Sequence, residues 1–191
     1  MDSTQPYNRW KSTEYLRRGT PRQQRAYEAL AGLQINERLQ PFDPVLAGTI
    51  PLGIDTEVSD LDIICNAVPS LLAGALSSHY SSLPGFTLHE TIKQGIPALV
   101  CRFQFEGWPI EIFGQPIPVA EQNALIHMDI EHRLLCLAGP AAKQAIMQIK
   151  REGCKTEPAF ARFFRIKGDP YEALLVLARC SDEELRVIFE L

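Results

Sequence analysis

The sequence predicts an α+β fold, in which a β-sheet flanked by helices is followed by a C-terminal helical region. Strand signals are concentrated between residues 44 and 113, where β-branched and aromatic residues form short runs separated by turn residues. Beyond Pro118, apolar residues recur at helical spacing. A chain of 191 residues, 46% of them hydrophobic, can bury a core of ordinary size. We therefore expect a flexible lead-in over 1–19, a core over 20–117 and a helical region over 118–191 packed on that core.

The first helix of the core has a clear start signal. Thr20, Pro21 and Gln23 supply an N-cap, a proline at the first helical position and a capping-box partner. An apolar stripe behind them extends the predicted helix to about Leu39, and Pro41 ends it.

The remaining elements follow from apolar spacing and turn signals. Strands are predicted at Pro44–Ala47, Asp60–Cys65, Phe86–Ile92, Ala98–Phe105 and Trp108–Phe113. Helices are predicted at Val68–Leu83, 119–137, 140–152, 157–167, 170–180 and 182–190. The dipeptide Glu106-Gly107 predicts a tight hairpin turn between the last two strands.

Charge and composition exclude some classes of protein. A net charge of −4 argues against a broad basic surface, so nucleic acid is not expected as a partner. No segment is apolar enough to cross a membrane, and the first twenty residues do not resemble a signal peptide. The five cysteines are scattered without a CxxC pair. They are expected to be reduced, in a cytoplasmic protein, and to pack mostly as small hydrophobic residues.

Two carboxylates one residue apart indicate the candidate site. Asp60 and Asp62 lie in a predicted strand, where alternate side chains share a face and stand about 7 Å apart. Two like charges held side by side favour a bound cation. Hard oxygen ligands suit Mg²⁺, which usually arrives with a bound phosphate. A glycine turn at Gly48-Thr49 precedes Asp60 by ten intervening residues.

A third acid comes from a later strand. Glu111 alternates with Ile110 and Ile112, so it lies on the face opposite its apolar neighbours. Asp60 and Asp62 alone would fit a half-exposed strand with a solvated face equally well. The glycine turn, ten residues before Asp60, together with Glu111 on a later strand favours a ligand site.

The pattern Gly48-Thr49, ten residues, Asp60-Leu61-Asp62 and the later Glu111 resembles the nucleotidyltransferase superfamily of polymerase-beta-like fold. The runs GTIPLGIDTEVSDLDIIC, PIEIFGQPIPVAEQNALIHM and TEPAFARFF resemble a small uncharacterised bacterial branch of that superfamily. The resemblance covers most of the chain from about residue 20. It implies a mixed β-sheet, one or two Mg²⁺ ions and a nucleoside triphosphate, with ATP as the expected nucleotide.

The resemblance also implies roles for individual residues. Asp60 and Asp62 would bridge the metal ions. Glu111 would complete the second metal site and help deprotonate the acceptor hydroxyl, which would attack the α-phosphorus and expel pyrophosphate. Gly48 would let the backbone approach the triphosphate, to which the Thr49 hydroxyl would donate a hydrogen bond.

The source of positive charge for the triphosphate is not evident near the motif. No lysine or arginine occurs from residue 49 to residue 92, whereas that stretch contains five acidic residues. The nearest candidates for nucleotide binding are Lys93 and Arg102. More distant candidates lie in the C-terminal region: Arg162, Arg165 and Lys167.

Other polar residues are expected to be structural. His127 and His132 lie five apart on a predicted helix, about 140° around its axis from each other, so they are not expected to share a metal. Lys150, Arg151 and Lys155 fall where a helix ends, and a solvated helix end is favoured over an acceptor-binding patch.

Three functions remain open from the sequence. The favoured one is a magnesium-dependent nucleotidyltransferase that moves a nucleoside monophosphate onto a hydroxyl of a small molecule or protein. The second is a catalytically weak or inactive module of the same fold that binds a nucleotide or a partner protein. The third is a metal-dependent phosphate-ester hydrolase, which ranks last because the sequence offers no matching histidine ligands.

Overall fold

The computed structural model describes the chain from residue 4 to residue 191, with side chains from residue 7 onward. The helices are α1 (Thr4–Trp10), α2 (Pro21–Leu33), α3 (Ile35–Arg38), α4 (Thr49–Leu52), α5 (Pro69–Tyr80), α6 (Asn123–Arg151), α7 (Thr156–Phe164), α8 (Pro170–Leu177) and α9 (Asp182–Phe189). The strands are β1 (Val45–Ala47), β2 (Leu61–Asn66), β3 (Thr87–Lys93), β4 (Ile96–Phe105) and β5 (Trp108–Gln115). The predicted α+β class is confirmed.

The strands form one mixed sheet in the order β1-β2-β5-β4-β3. Strands β2 and β5 are parallel, and the other neighbouring pairs are antiparallel. The β4–β5 hairpin turns at Glu106 and Gly107, both with positive φ, as a tight two-residue turn requires. Insertion of β5 between β2 and β4 brings the strand of Glu111 beside the strand of Asp62.

The start of α2 matches the sequence signal, and its end does not. Thr20 Oγ1 accepts from Gln23 N at 3.2 Å, and Gln23 Oε1 accepts from Thr20 N at 2.9 Å, which is the predicted capping box. Gln34 adopts a left-handed conformation with φ 54° and ends α2. The helix predicted to run to about Leu39 is therefore divided into α2 and the short α3.

Helix α6 is bent in the middle. Gly139 has φ 78° and ψ −174°, outside the helical range, and Pro140 follows it. The sequence predicted two helices meeting at this position, and the bend agrees with that break. Proline lacks an amide hydrogen and clashes with the preceding turn, so a helix interrupted before Pro140 is the expected result.

Apolar layers cover both faces of the sheet. One layer packs α2 and α5 against inward residues of the strands, among them Ile63, Cys65 and Cys101. The other packs α6 and the later helices against residues such as Val45 and Ile64. No helix in residues 4–191 is both long and apolar enough to span a bilayer.

The expected lead-in is partly packed on the domain. Its first three residues lie outside the described part of the chain. Trp10 is 3% exposed and Leu16 is fully buried, so α1 and the 3₁₀ turn at Glu14–Arg18 are anchored in the apolar layers. The division into 1–19, 20–117 and 118–191 stays a prediction.

Candidate functional site

The sheet aligns the acidic residues across neighbouring strands. Asp62 on β2 is the direct partner of Glu111 on β5 in the parallel register. Asp60 immediately precedes β2, and all three side chains line the same cavity. Leu61 and Ile63 face the α2–α5 layer instead, as strand alternation requires. The three acids singled out in the sequence therefore converge on one side of the sheet.

Gly48 holds the β1–α4 turn against Asp62. Its φ of 79° is unfavourable for a residue with a side chain, and a Cβ placed on it would collide with Asp62 Oδ2. The next residue, Thr49, donates from its hydroxyl to Ser59 Oγ at 3.3 Å. Ser59 Oγ also accepts from Thr56 N at 2.9 Å. These contacts close the loop that leads from the glycine turn back to Asp60.

Arg22 binds the acidic loop between the glycine turn and Asp60, and it is not among the residues that line the cavity. It extends from α2, and its Nε lies 2.9 Å from Asp55 Oδ2. Its Nη2 donates to the carbonyls of Glu57 and Ser59 at 3.2 and 3.1 Å. The guanidinium carbon also lies 4.4 Å from the centre of the Trp108 ring. No local sequence pattern indicated this role, because Arg22 belongs to a different element.

Burial and repulsion raise the pKa of Asp62 to about 7. Desolvation is the largest cause, followed by the charges of Asp60, Glu111 and Glu157. Lys150 acts in the opposite direction. The charged form of Asp62 is therefore destabilised by burial and by the neighbouring acids, and a bound cation would stabilise it.

The oxygen ligands of the site suit Mg²⁺, although the three carboxylates do not surround a common point at which a metal ion could bind. Among the described residues, no group of three or more His, Cys, Asp or Glu side chains is placed to hold a metal ion. Arg102 Nη2 lies 2.6 Å from Glu111 Oε2, so a guanidinium engages the third acid. Asp60, Asp62 and Glu111 offer only hard oxygen atoms, and a divalent cation would relieve the repulsion that raises the Asp62 pKa.

A cavity of about 880 Å³ separates the acids from the C-terminal helices. The sheet side includes Gly48, Thr49, the three acids and Phe113. The opposite side comes from α6, the segment after it and the start of α7. This volume lies toward the upper end of small-molecule sites, which is enough for a nucleotide with part of a second substrate.

The cations around the cavity agree only in part with those expected from the sequence, which named Lys93 and Arg102. Lys93 lines it, as do Lys150 and Lys155. Lys150 is only 9% exposed, and its Nζ donates to Thr156 Oγ1 at 2.8 Å. Burial lowers the pKa of Lys150, while nearby acids, Glu131 first among them, oppose this effect. The interpretation of Lys150 as a solvated helix end is therefore wrong, although Arg151 and Lys155 are exposed.

The other cation candidates are either already paired with an acid or distant from the cavity. Arg102 is bound to Glu111, and Arg162 Nη1 lies 3.1 Å from Glu152 Oε2 at the surface. Arg165 and Lys167 line a separate groove between α7, α8 and α9. The C-terminal candidates named from the sequence are thus not brought to the acids.

Two buried polar residues of α6 had no sequence signal. His127 Nε2 lies 2.9 Å from the Tyr171 carbonyl oxygen, and its Nδ1 lies 3.8 Å from Glu157 Oε1. Glu131 is 4% exposed, and burial raises its pKa well above the usual value. His132 packs edge-on against Trp10, so the two histidines are separated as expected.

The fold is similar to those of solved nucleotidyltransferases. The poly(U) polymerase Cid1 with MgGTP bound matches with a TM-score of 0.52 at 15% identity, over 92% of this chain and 53% of that chain. A cytoplasmic RNA terminal U-transferase matches with a TM-score of 0.50 at 16% identity, over 92% and 51%. The chain spans about half the length of each. A comparison with curated protein sequences found no match.

At these identities the similarity concerns the fold, which is that of the polymerase-beta-like nucleotidyltransferases. Residues 28–177 match the family described as domain of unknown function DUF4269. That match covers most of the chain, and the chain belongs to this family.

Proposed function

We propose that this protein is a magnesium-dependent nucleotidyltransferase that transfers a nucleoside monophosphate from a nucleoside triphosphate to a hydroxyl of a small molecule or protein. The observation that carries the proposal is the direct pairing of Asp62 with Glu111, with Asp60 on the same cavity and Gly48 against the Asp62 carboxylate. A net charge of −4 disfavours an RNA acceptor of the kind used by the poly(U) polymerase.

In this proposal the three acids bind the metal ion, and Glu111 also accepts a proton. Asp60 and Asp62 would hold Mg²⁺, and Glu111 would complete the site once its ion pair with Arg102 is broken. Bound Mg²⁺ would supply positive charge to the triphosphate and polarise the α-phosphate. Glu111 accepts the proton of the acceptor hydroxyl. A bond forms between that oxygen and the α-phosphorus as the bond to the pyrophosphate oxygen breaks.

The remaining residues bind the triphosphate. Gly48 lets its oxygens approach the backbone, and the Thr49 hydroxyl donates to them. Lys93, Lys150 and Lys155 supply positive charge from both sides of the cavity. Of these, Lys150 is the most effective per contact, because a charged donor in a buried position loses little to solvent screening.

The first test measures binding and turnover together. Isothermal titration calorimetry of the full chain with each nucleoside triphosphate should give binding that requires Mg²⁺. Pyrophosphate release in the presence of a cell extract should depend on both Mg²⁺ and the extract. In the double variant Asp60→Asn with Asp62→Asn, magnesium-dependent binding and release should both be lost.

Glu90→Gln is the matched control, because Glu90 is an exposed acid on strand β3 of the same sheet. It should leave binding and release unchanged. Release that persists at the native rate in the double aspartate variant refutes the assignment.

The Arg102–Glu111 ion pair favours a second candidate, a module of this fold that binds a nucleotide or a partner protein without turnover. If Arg102 stays on Glu111 in the presence of Mg²⁺, the third acid is not available as a base. Magnesium-dependent nucleotide binding without pyrophosphate release, in extracts and with small hydroxylated compounds, would identify this case. Failure to bind any nucleotide refutes the nucleotide-binding form of both candidates.

A further inference from the structure

A ring nitrogen and a carboxylate lie side by side on the cavity wall opposite the sheet. His127 of α6 and Glu157 of α7 both line the cavity. His127 Nδ1 lies 3.8 Å from Glu157 Oε1, which is too long for a hydrogen bond. The two side chains are 11% and 22% exposed. The pair is therefore largely shielded from bulk solvent, yet an occupant of the cavity can contact it.

The other nitrogen of His127 fixes the tautomer of the ring. His127 Nε2 lies 2.9 Å from the carbonyl oxygen of Tyr171. A carbonyl oxygen only accepts hydrogen bonds, so Nε2 carries the hydrogen and donates it. In the neutral imidazole, Nδ1 is then an acceptor. Glu157 Oε1 beside it is an acceptor as well, so two acceptors adjoin without a donor between them.

The chain itself supplies no cation to this pair. In residues 7–191, no lysine or arginine forms an ion pair with Glu157. Lys150, which also lines the cavity, donates to Thr156 Oγ1 at 2.8 Å instead. A carboxylate that is largely removed from water is unfavourable without a cation or a donor beside it. The pair therefore indicates a ligand that brings positive charge and N–H bonds.

An ammonium group fits the spacing of the two acceptors. With the acceptors 3.8 Å apart, a nitrogen placed about 2.9 Å from each has them at an angle of about 80°. The N–H bonds of an ammonium group diverge by about 109° and those of a planar amino group by about 120°, so the ammonium group bends its hydrogen bonds less. A hydroxyl group has one hydrogen and serves only one acceptor. The ammonium group alone of these also neutralises the carboxylate.

We propose that His127 and Glu157 bind an ammonium group of the acceptor. The substrate class is a hydroxyl compound that also carries a primary amine, either a small molecule or a protein segment with an amino group. The inference rests on the proposed function, because it places the acceptor across the cavity from the nucleotide. Glu157 lies close enough to the acids for its charge to raise the pKa of Asp62, so an acceptor bound at this wall is near the metal site.

Blocking the amines of the acceptor tests the proposal. A cell extract is treated with an amine-selective acetylating reagent, and the same extract treated with hydrolysed reagent is the control. Acetylation removes the positive charge, so magnesium-dependent pyrophosphate release should fall by about tenfold or more, the effect of one lost hydrogen bond to a charged group. Release that is unaffected by acetylation overturns the inference.

Ultrafiltration of the untreated extract separates the two sources of the ammonium group. Release supported by the filtrate identifies a small molecule, and release supported by the retained fraction identifies a protein. In either case, acetylation of the active fraction should abolish its effect.

Glu157→Gln tests the pair itself, because it removes the negative charge and keeps the shape of the side chain. The extract concentration that gives half-maximal release should rise by about tenfold or more. Mg-ATP binding, measured by calorimetry without extract, should stay at least as tight as in the native chain. Glu172→Gln is the matched control, because Glu172 is exposed on α8 and does not line the cavity, and it should change neither value. Melting temperatures of both variants check that they are folded.

The outcomes separate this inference from the proposed function. If Glu157→Gln leaves the dependence on extract unchanged, or weakens Mg-ATP binding as much as it lowers release, the pair does not bind the acceptor and only this inference is overturned. If the native chain binds no nucleotide in the presence of Mg²⁺, or releases no pyrophosphate with any extract, the proposed transfer fails and the inference fails with it.

Discussion

Asp62 and Glu111 are partners across the parallel strands β2 and β5, although most of the sheet-forming chain lies between them. Each is also paired on its other side, Asp62 with Ala47 and Glu111 with Arg102. One level of the sheet therefore carries two acids and a guanidinium side by side. Four measurements examine what this arrangement implies.

The first concerns the pH dependence of stability. The pKa of Asp62 is raised to about 7 in the folded protein, from an ordinary value of 3.8. Between about pH 4 and pH 7 the folded state thus binds more protons at this group, and stability falls as pH rises. The slope from one group is at most about 1.4 kcal/mol per pH unit. Asp62→Asn should remove this contribution.

Thermal unfolding in the presence of a chelator measures the difference between Asp62→Asn and the native chain. The variant should be the more stable at pH 8, with the difference shrinking as pH falls toward 4. Glu90→Gln should show no such trend. A constant offset of Asp62→Asn across the range would contradict the shift.

The second concerns the ion pair of the third acid. Arg102 is 58% exposed and Glu111 is 28% exposed at their side chains, so solvent weakens their contact to about 0.2–1 kcal/mol. Arg102→Gln releases Glu111 for metal binding, and we expect Mg²⁺ affinity to rise up to about fivefold. Titration with Mn²⁺ monitored by electron paramagnetic resonance reports the bound fraction.

Arg162→Gln serves as the control, because the Arg162–Glu152 pair is similarly exposed and lies away from the cavity. It should leave metal affinity unchanged. Weaker metal binding in Arg102→Gln would instead assign Arg102 a supporting role at the site.

The third concerns the glycine turn. Gly48→Ala places a side chain at φ 79° and against Asp62 Oδ2. We expect a loss of about 1–3 kcal/mol in the free energy of unfolding, because the backbone is strained there. Mg²⁺ binding should also weaken, because the Asp62 carboxylate must move. Chemical denaturation and calorimetry measure the two effects.

Gly74→Ala is the opposite case in the same protein. Gly74 lies in the middle of α5, with nothing near the position of its Cβ. Alanine should raise stability there by up to about 1 kcal/mol. Equal changes in the free energy of unfolding at the two glycines would show that neither the backbone strain at Gly48 nor its contact with Asp62 affects stability.

The fourth concerns the buried lysine. Lys150→Met keeps the length of the side chain and removes its charge from the cavity. Hydrogen bonds to charged groups contribute about 1.5–3 kcal/mol, so Mg-ATP should bind more than tenfold more weakly. Arg151→Met, one residue away and exposed, should bind as the native chain does. Unchanged affinity in Lys150→Met would leave Lys93 and Lys155 as the cations for the triphosphate.

Local signals predicted the secondary structure well. The capping box of Thr20 and Gln23, the turn at Glu106-Gly107 and the break before Pro140 each depend on a few consecutive residues, and each is present. The mixed sheet implied by the resemblance is also present. Helix ends were less predictable. Gln34 ends α2 in a left-handed conformation, and no glycine or proline beside it indicates that end.

The surroundings of the acids depended on contacts between distant segments. Lys150 resembles an ordinary basic residue near a helix end, yet it is buried, and its Nζ donates to Thr156 at the start of α7. Arg22 reaches the acidic loop from α2 in the same way. Spacing in the sequence carries no information about such contacts, so the source of positive charge had to come from the structure.

The bend at Gly139 affects the wall of the cavity that α6 forms opposite the sheet. In a straight helix, His127 and Lys150 would stand about 35 Å apart, yet both line the same space above the sheet. Gly139, with φ 78°, is the non-helical residue between the two halves of α6, and Lys150 on the second half lies close enough to Glu131 on the first for their charges to interact. The cavity wall that α6 forms opposite the carboxylates thus depends on Gly139, a residue that does not itself line the cavity.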